Sequence, residues 1–174
     1  SLGVNTIIDT LGTCTMVAIQ LANCTFTYTQ GNFSAGTTTL NCGLGTTLDT
    51  DRTSTGGDKI TFFNVARVNA GVGNITLLTD LWMSGSFLNS VGSTTLIGVG
   101  RKIYVGANLA TSFFGDPVIE MNTSTNGTLN AGSHTLSIII NKTGGASVTF
   151  GGAIAFATTG KFYTLTSGVI IPGT

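Results

Sequence analysis

Nowhere in this chain does an apolar repeat of helical period persist. Short runs of β-branched and aromatic residues follow one another instead, each cut off by Gly, Ser, Asn or Thr. Strands are readable at residues 25–29, 59–69, 75–83, 94–99, 102–105, 117–122, 133–140, 146–150, 153–157 and 161–166. Within 133–140, Leu136, Ile138 and Ile140 alternate with Thr135 and Ser137, the pattern of a sheet with one wet side. Gly144-Gly145 and Gly151-Gly152 flank 146–150 and read as hairpin turns. Strands at roughly ten-residue spacing, with no visible internal repeat, predict an all-β, jelly-roll-like β-sandwich.

The first residues need a separate reading. Val4, Ile7, Ile8 and Leu11 match a helical stripe, but the density of Thr and Asn, with Gly3 and Gly12, favours an extended strand. In that strand Leu2, Val4, Thr6 and Ile8 share one face, and Ile7 lies on the other. Residues 1–10 would reach about 33 Å. Such a segment is either an ordinary first strand or a donor that leaves its own body and completes a neighbour's sheet, a head-to-tail contact that makes filaments. We therefore divide the chain into a donor tail, 1–12, carrying Leu2, Val4, Thr6, Ile7 and Ile8 as partner-binding residues, and a sandwich head, 13–174.

Its 174 residues suit one domain with a full core. Charged residues make up only 8% of them, while Gly numbers 25 and Thr 32. Seven Lys plus Arg against seven Asp plus Glu leave no basic face, so neither nucleic acid nor an anionic membrane surface is an expected partner. Near-zero net charge favours association. So few carboxylates also predict tolerance of acid, because acid unfolding works mainly through carboxylates paired in the native state. No apolar run approaches the length of a membrane span, and residues 16–22 are too short for a signal peptide. Ser1 in place of Met is read as the trace of a removed export signal.

Export fits six Asn-X-Ser/Thr triplets, beginning at Asn23, Asn32, Asn74, Asn122, Asn126 and Asn141, mostly in turn-rich sequence. They are read as acceptors of N-linked sugar; the competing reading is that these asparagines simply bend the chain. Of Cys14, Cys24 and Cys42, the preferred disulfide is Cys24 to Cys42, with Cys14 to Cys24 as the other arrangement.

Signals of catalysis are close to absent. His134 is the single histidine, and no nucleophile elbow, phosphate loop or zinc-protease motif occurs. Asp116 with Glu120 could at most offer a carboxylate pair across a proline turn. Asp49, Asp51 and Asp58 could gather around calcium, but their spacing fits no standard loop. We expect no catalytic residue, no metal and no cofactor beyond covalent glycans. Lys59, Lys102, Lys142 and Lys161 are candidates for isopeptide bonds. Trp82 and the phenylalanines, among them Phe62, Phe63, Phe113, Phe114, Phe150 and Phe156, are read as core.

A charge-poor, Thr- and Gly-rich all-β chain with six sequons and an apolar first strand over residues 1–10 resembles, in plan, the archaeal surface-filament subunits known as threads, and more loosely the archaeal bundling pili. That resemblance implies an extracellular homopolymer joined by donor-strand complementation and used for adhesion, cell contact or biofilm, with other cells or surfaces as partners. Type IV pilins differ, since Gly12, Thr13, Cys14 and Thr15 would interrupt their long N-terminal helix. The competing readings are a viral capsid or fibre jelly roll and a secreted carbohydrate-binding or S-layer module.

Overall fold

A computed structural model describes residues 6–15, 18–21, 24–34, 37, 39–43, 45–53, 56–67, 74–89, 94–110, 113–130, 132–134, 136–156 and 163–172. The chain winds as a coil. Two turns come first, β1 (Thr6–Thr15) with β2 (Ala18–Leu21), then β3 (Thr25–Ser34) with β4 (Thr39–Cys42). Three-sided turns follow: β5 (Thr46–Asp49), β6 (Thr61–Phe62) and β7 (Asn64–Arg67), then β8 (Asn74–Leu77), β9 (Leu81–Met83) and β10 (Phe87–Asn89). The next holds β11 (Thr94–Ile97) and β12 (Lys102–Val105), with Leu109 bridging Phe87 and Leu129 on the remaining side. Then come β13 (Phe113–Gly115), β14 (Val118–Thr123) and β15 (Gly127–Leu129), followed by β16 (Gly132–His134), β17 (Ser137–Lys142) and β18 (Ser147–Phe150). The last turn is β19 (Ile154–Phe156), β20 (Tyr163–Ser167) and β21 (Val169–Ile171).

Strands at equivalent positions of successive turns pair side by side, giving three faces. The first carries β1-β3-β5-β8-β11-β13 and then β16-β19. The second carries β2-β4-β7-β10 and then β15-β18-β21. The third carries β6-β9-β12-β14-β17-β20. Every ladder between named strands is parallel; among the described residues the one antiparallel bridge joins Asp51 to Lys59. About five turns separate the two ends of the third face, and no helix occurs among the described residues.

The expected all-β class holds, and the jelly-roll sandwich with its donor strand is overturned. A jelly roll needs antiparallel neighbours, whereas here each strand turns a corner onto another face and meets its partner a full turn later. The Gly-Gly pairs are corners and not hairpins: Gly144 and Gly145, both at positive φ (61° and 76°), carry the chain from the third face to the second, between β17 and β18. Three expected strands are bent in two. Residues 59–69 break at Phe63, 75–83 at 78–80 and 133–140 before Ser137.

The core consists of stacked columns inside the tube. On the third face Leu81, Ile103, Ile119 and Ile138 lie in register, and beside them Met83, Val105, Met121 and Ile140; none is more than 2% exposed. On the second face Ile19, Leu40, Val65 and Phe87 stack, and Leu109 and Leu129 continue the column. Phe26, Phe33 and Phe62 pack together at the core with edge-to-face contacts at 6.1–6.3 Å. Each buried aliphatic contributes roughly 1.5–3 kcal/mol. The corners demand small residues, since a Cβ on Gly106 would overlap the Ser84 carbonyl and one on Gly127 the Ala107 carbonyl.

Candidate functional site

Outward-facing polar and aromatic side chains form a continuous line along the third face. Trp82 and Tyr104 are register partners, and their rings stack at 5.3 Å with 8° between planes. The Lys59 ammonium sits 5.1 Å from the Trp82 ring and Lys102 5.7 Å from Tyr104. Lys102 Nζ donates to Glu120 Oε2 at 2.9 Å, and Asn141 Nδ2 donates to Glu120 Oε1 at 2.9 Å. The Ser167 hydroxyl lies 3.0 Å from Asn141 Oδ1 and 2.5 Å from the Lys142 carbonyl. The line runs from the turn of β6 to that of β20, each group satisfied by one from the next turn.

A second line follows the corner between the third and second faces. Asn64 Oδ1 accepts from the Ser86 amide at 2.7 Å, Asn108 Oδ1 from Thr128 at 2.9 Å, and Asn126 Oδ1 from Ser147 at 2.9 Å. Each bond joins residues 20–22 apart, one turn of the coil.

The loop between β5 and β6 rises above the first face. Asp51, 1% exposed, organises it: Oδ1 accepts from the Thr53 amide and hydroxyl at 3.0 and 2.8 Å, Oδ2 from the Gly56 amide at 2.5 Å. Burial alone would raise its carboxyl, but these bonds, with Lys59, hold it below the usual aspartate range. Asp58 pairs with Arg52, whose guanidinium lies 4.8 Å over the Tyr28 ring. A shallow cavity of about 300 Å³ lies against the loop, lined by Thr27, Tyr28, Thr29, Asp49, Asp51 and Arg52. Burial, reinforced by the Asp51 charge, raises the Asp49 carboxyl there.

Lys142 is the exception to the outward lines. Only 1% exposed, it points into the tube beyond Ile138 and Ile140, and Nζ donates to the Gly106 carbonyl at 2.5 Å. Burial lowers it to about 8. Nothing in an Ile-Ile-Asn-Lys sequence marks the lysine as interior; only strand alternation from Ile138 could have found it.

The sites expected from sequence scatter over this scaffold. Thr6, Ile7 and Ile8 lie in β1 and pair with Phe26, Thr27 and Tyr28 of their own chain, while Leu2 and Val4 lie outside the described residues. The segment therefore serves its own body from Thr6 onward, and β1 runs on past residue 12. Among the sequons Asn74 and Asn126 are exposed, Asn122 is half-buried, and Asn141 has its amide nitrogen engaged by Glu120. Asn32 lies in β3, and Asn23 is outside the described residues. Cys24 and Cys42 are both buried, on the first and second faces, with no disulfide between them. Asp116 accepts from the Gly98 amide at 2.6 Å, so it and Glu120 serve different neighbours. Phe63 is 42% exposed and Trp82 half-buried, so the aromatics are not all core. Lys59 and Lys142 each donate to a backbone carbonyl and Lys102 to a carboxylate; Lys161 is outside the described residues. No helix among the described residues is long and apolar enough to cross a membrane.

No protein-family model, curated protein or solved structure matches the chain.

Proposed function

We propose that this chain is a non-catalytic structural element of an extracellular surface assembly: a rigid solenoid that builds a filament and presents its faces to cells or other surfaces. The observation that carries the reading is the third-face line from Lys59 to Ser167, in which successive polar groups are engaged by the neighbouring turn. An active site needs groups held ready for a substrate, and a sugar platform needs an open ring face. Here Trp82 and Tyr104 cover one another, with lysines beside them. Such groups act along the axis and stiffen it. Sugar at the exposed Asn74 and Asn126 would supply hydration that the sparse charges do not. Electron microscopy of the purified chain tests the reading. Thin fibres are expected; isolated particles at every concentration contradict it.

A further inference from the structure

The apolar ranks inside the third face do not by themselves fix how its strands are stacked. Ile103, Ile119 and Ile138 form one rank, and Val105, Met121 and Ile140 the next. Strand side chains alternate with period two, so sliding β17 along β14 by two residues keeps every inward group inward. Ile138 would then face Met121, or Ile140 would face Ile119, and one apolar contact replaces another of similar size. Apolar burial accepts all three registers.

Lys142 accepts one. Its side chain is 1% exposed, in register with Thr123, and among the described residues no carboxylate pairs with it. Its Nζ reaches across β14 to donate to the Gly106 carbonyl at 2.5 Å, a partner 36 residues earlier in the chain. The Thr123 hydroxyl donates to the same oxygen at 2.8 Å, so three successive turns meet at one carbonyl. The following turn is shaped around the lysine as well. β20 carries a bulge here, with Leu165 opposite Ile140 but Ser167 opposite Asn141. The bulge brings the Ser167 hydroxyl 2.5 Å from the Lys142 carbonyl and puts Gly168 where an added Cβ would lie 2.7 Å from that of Lys142. Sliding β17 by two residues carries the ammonium about 6.6 Å along the strand, out of reach of Gly106. In one direction it lands in register with Met121, within an apolar rank.

We infer that Lys142 is a register lock: an interior clamp that admits one stacking of β17 on its neighbours, at a standing cost in stability. A buried ammonium with one carbonyl partner is unfavourable, and one with none is far more so, which penalises every mismatched stacking. The lock concerns how the coil is built and holds whether or not the chain forms a fibre.

The test compares amide NMR spectra of the wild type, Lys142→Met and Ile140→Val. The wild type should give one set of peaks. Lys142→Met should melt higher and yet show a second set for β17 and β20, at about 10% or more of the intensity. Ile140→Val weakens the neighbouring rank without touching the clamp, so it should melt lower and keep a single set. Cysteines at Asn122 and Ile139 report the slide directly. In the observed register these positions are diagonal, about 8 Å apart between Cα atoms and too far to bridge, whereas a two-residue slide sets them side by side. Their disulfide should close at least about tenfold faster beside Lys142→Met than in the wild-type background. A single set of peaks in Lys142→Met, or equal closure in the two backgrounds, overturns the lock. So does a second set in Ile140→Val, which would trace the heterogeneity to weakened packing. One readout needs no variant: the wild-type Lys142 amino protons should be slow to exchange and coupled to the Gly106 carbonyl, and a freely exchanging amino group there overturns the clamp.

Discussion

Ile140 and Leu165 are adjacent rungs of one column, similar in volume and partners in register, yet one is fully buried and the other half in water. Among the described residues, turns flank Ile140 on both sides, whereas Leu165 has a neighbour on one side. In a solenoid a side chain's contribution is therefore set less by its identity than by how many turns flank it, as expected when each repeat contacts only its neighbours.

The largest contrast between interior and end should come from the backbone. Gly106→Ala drives a methyl group into the Ser84 carbonyl of the preceding turn and should prevent native folding, read as loss of the cooperative melt. Gly100→Ala, at an outer turn with φ +73° and open space around it, should cost only about 1–2 kcal/mol. Next in size, Ile140→Ala should lose about 2–5 kcal/mol in urea unfolding, and Leu165→Ala under about 1 kcal/mol. Equal losses at the two positions would show that a further layer covers the last turn.

Lys142 sharpens the comparison from inside the tube. Its folded-state value of about 8 lies below the ordinary 10.5, so burial of the charged form weakens the fold below pH 8. Stability should rise as pH climbs from about 8 to 10.5, where the unfolded chain also loses the proton. Lys142→Met should remove that rise and stabilise the protein at pH 7 by on the order of 3 kcal/mol. Thr123 also donates to the Gly106 carbonyl, at 2.8 Å, so that oxygen keeps a partner.

The smallest effect belongs to the outer line. Burial pushes Glu120 up, but bonds from Asn141 and Lys102 outweigh it and hold the carboxyl below the usual glutamate range. A depressed carboxylate stabilises the fold above its unfolded pKa, and that contribution disappears as pH falls through the folded value. Glu120→Gln should cost about 1 kcal/mol at pH 7 and nothing once the wild-type carboxyl is protonated. Asp51 titrates in the same sense and Asp49 in the opposite one, so acid should weaken the protein only modestly.

Much of the local structure was legible in the residues. Strand content and the inward set Leu136, Ile138 and Ile140 follow from alternation and β-branched residues, and the extended reading of the N-terminal segment agrees with β1. What alternation cannot carry is the partner of each strand. Gly-Gly corners and Gly-Gly hairpins look alike in sequence, and turn lengths that vary from Lys102↔Val118 to Ile138↔Tyr163 blur the repeat that would have announced a coil. The outer line was hidden for the same reason. Trp82 with Tyr104, and Glu120 with Asn141, become neighbours only when the chain completes a turn.

The account depends on turns being stacked in parallel register, and a cross-link reads that directly. Thr76 and Ile97 are register partners facing outward on neighbouring strands of the first face. Cysteines at both positions should oxidise to an intramolecular disulfide that leaves the melt intact, while Thr76→Cys with Thr164→Cys, on different faces, should not. Failure of the first pair to close, with the second closing readily, would contradict the solenoid.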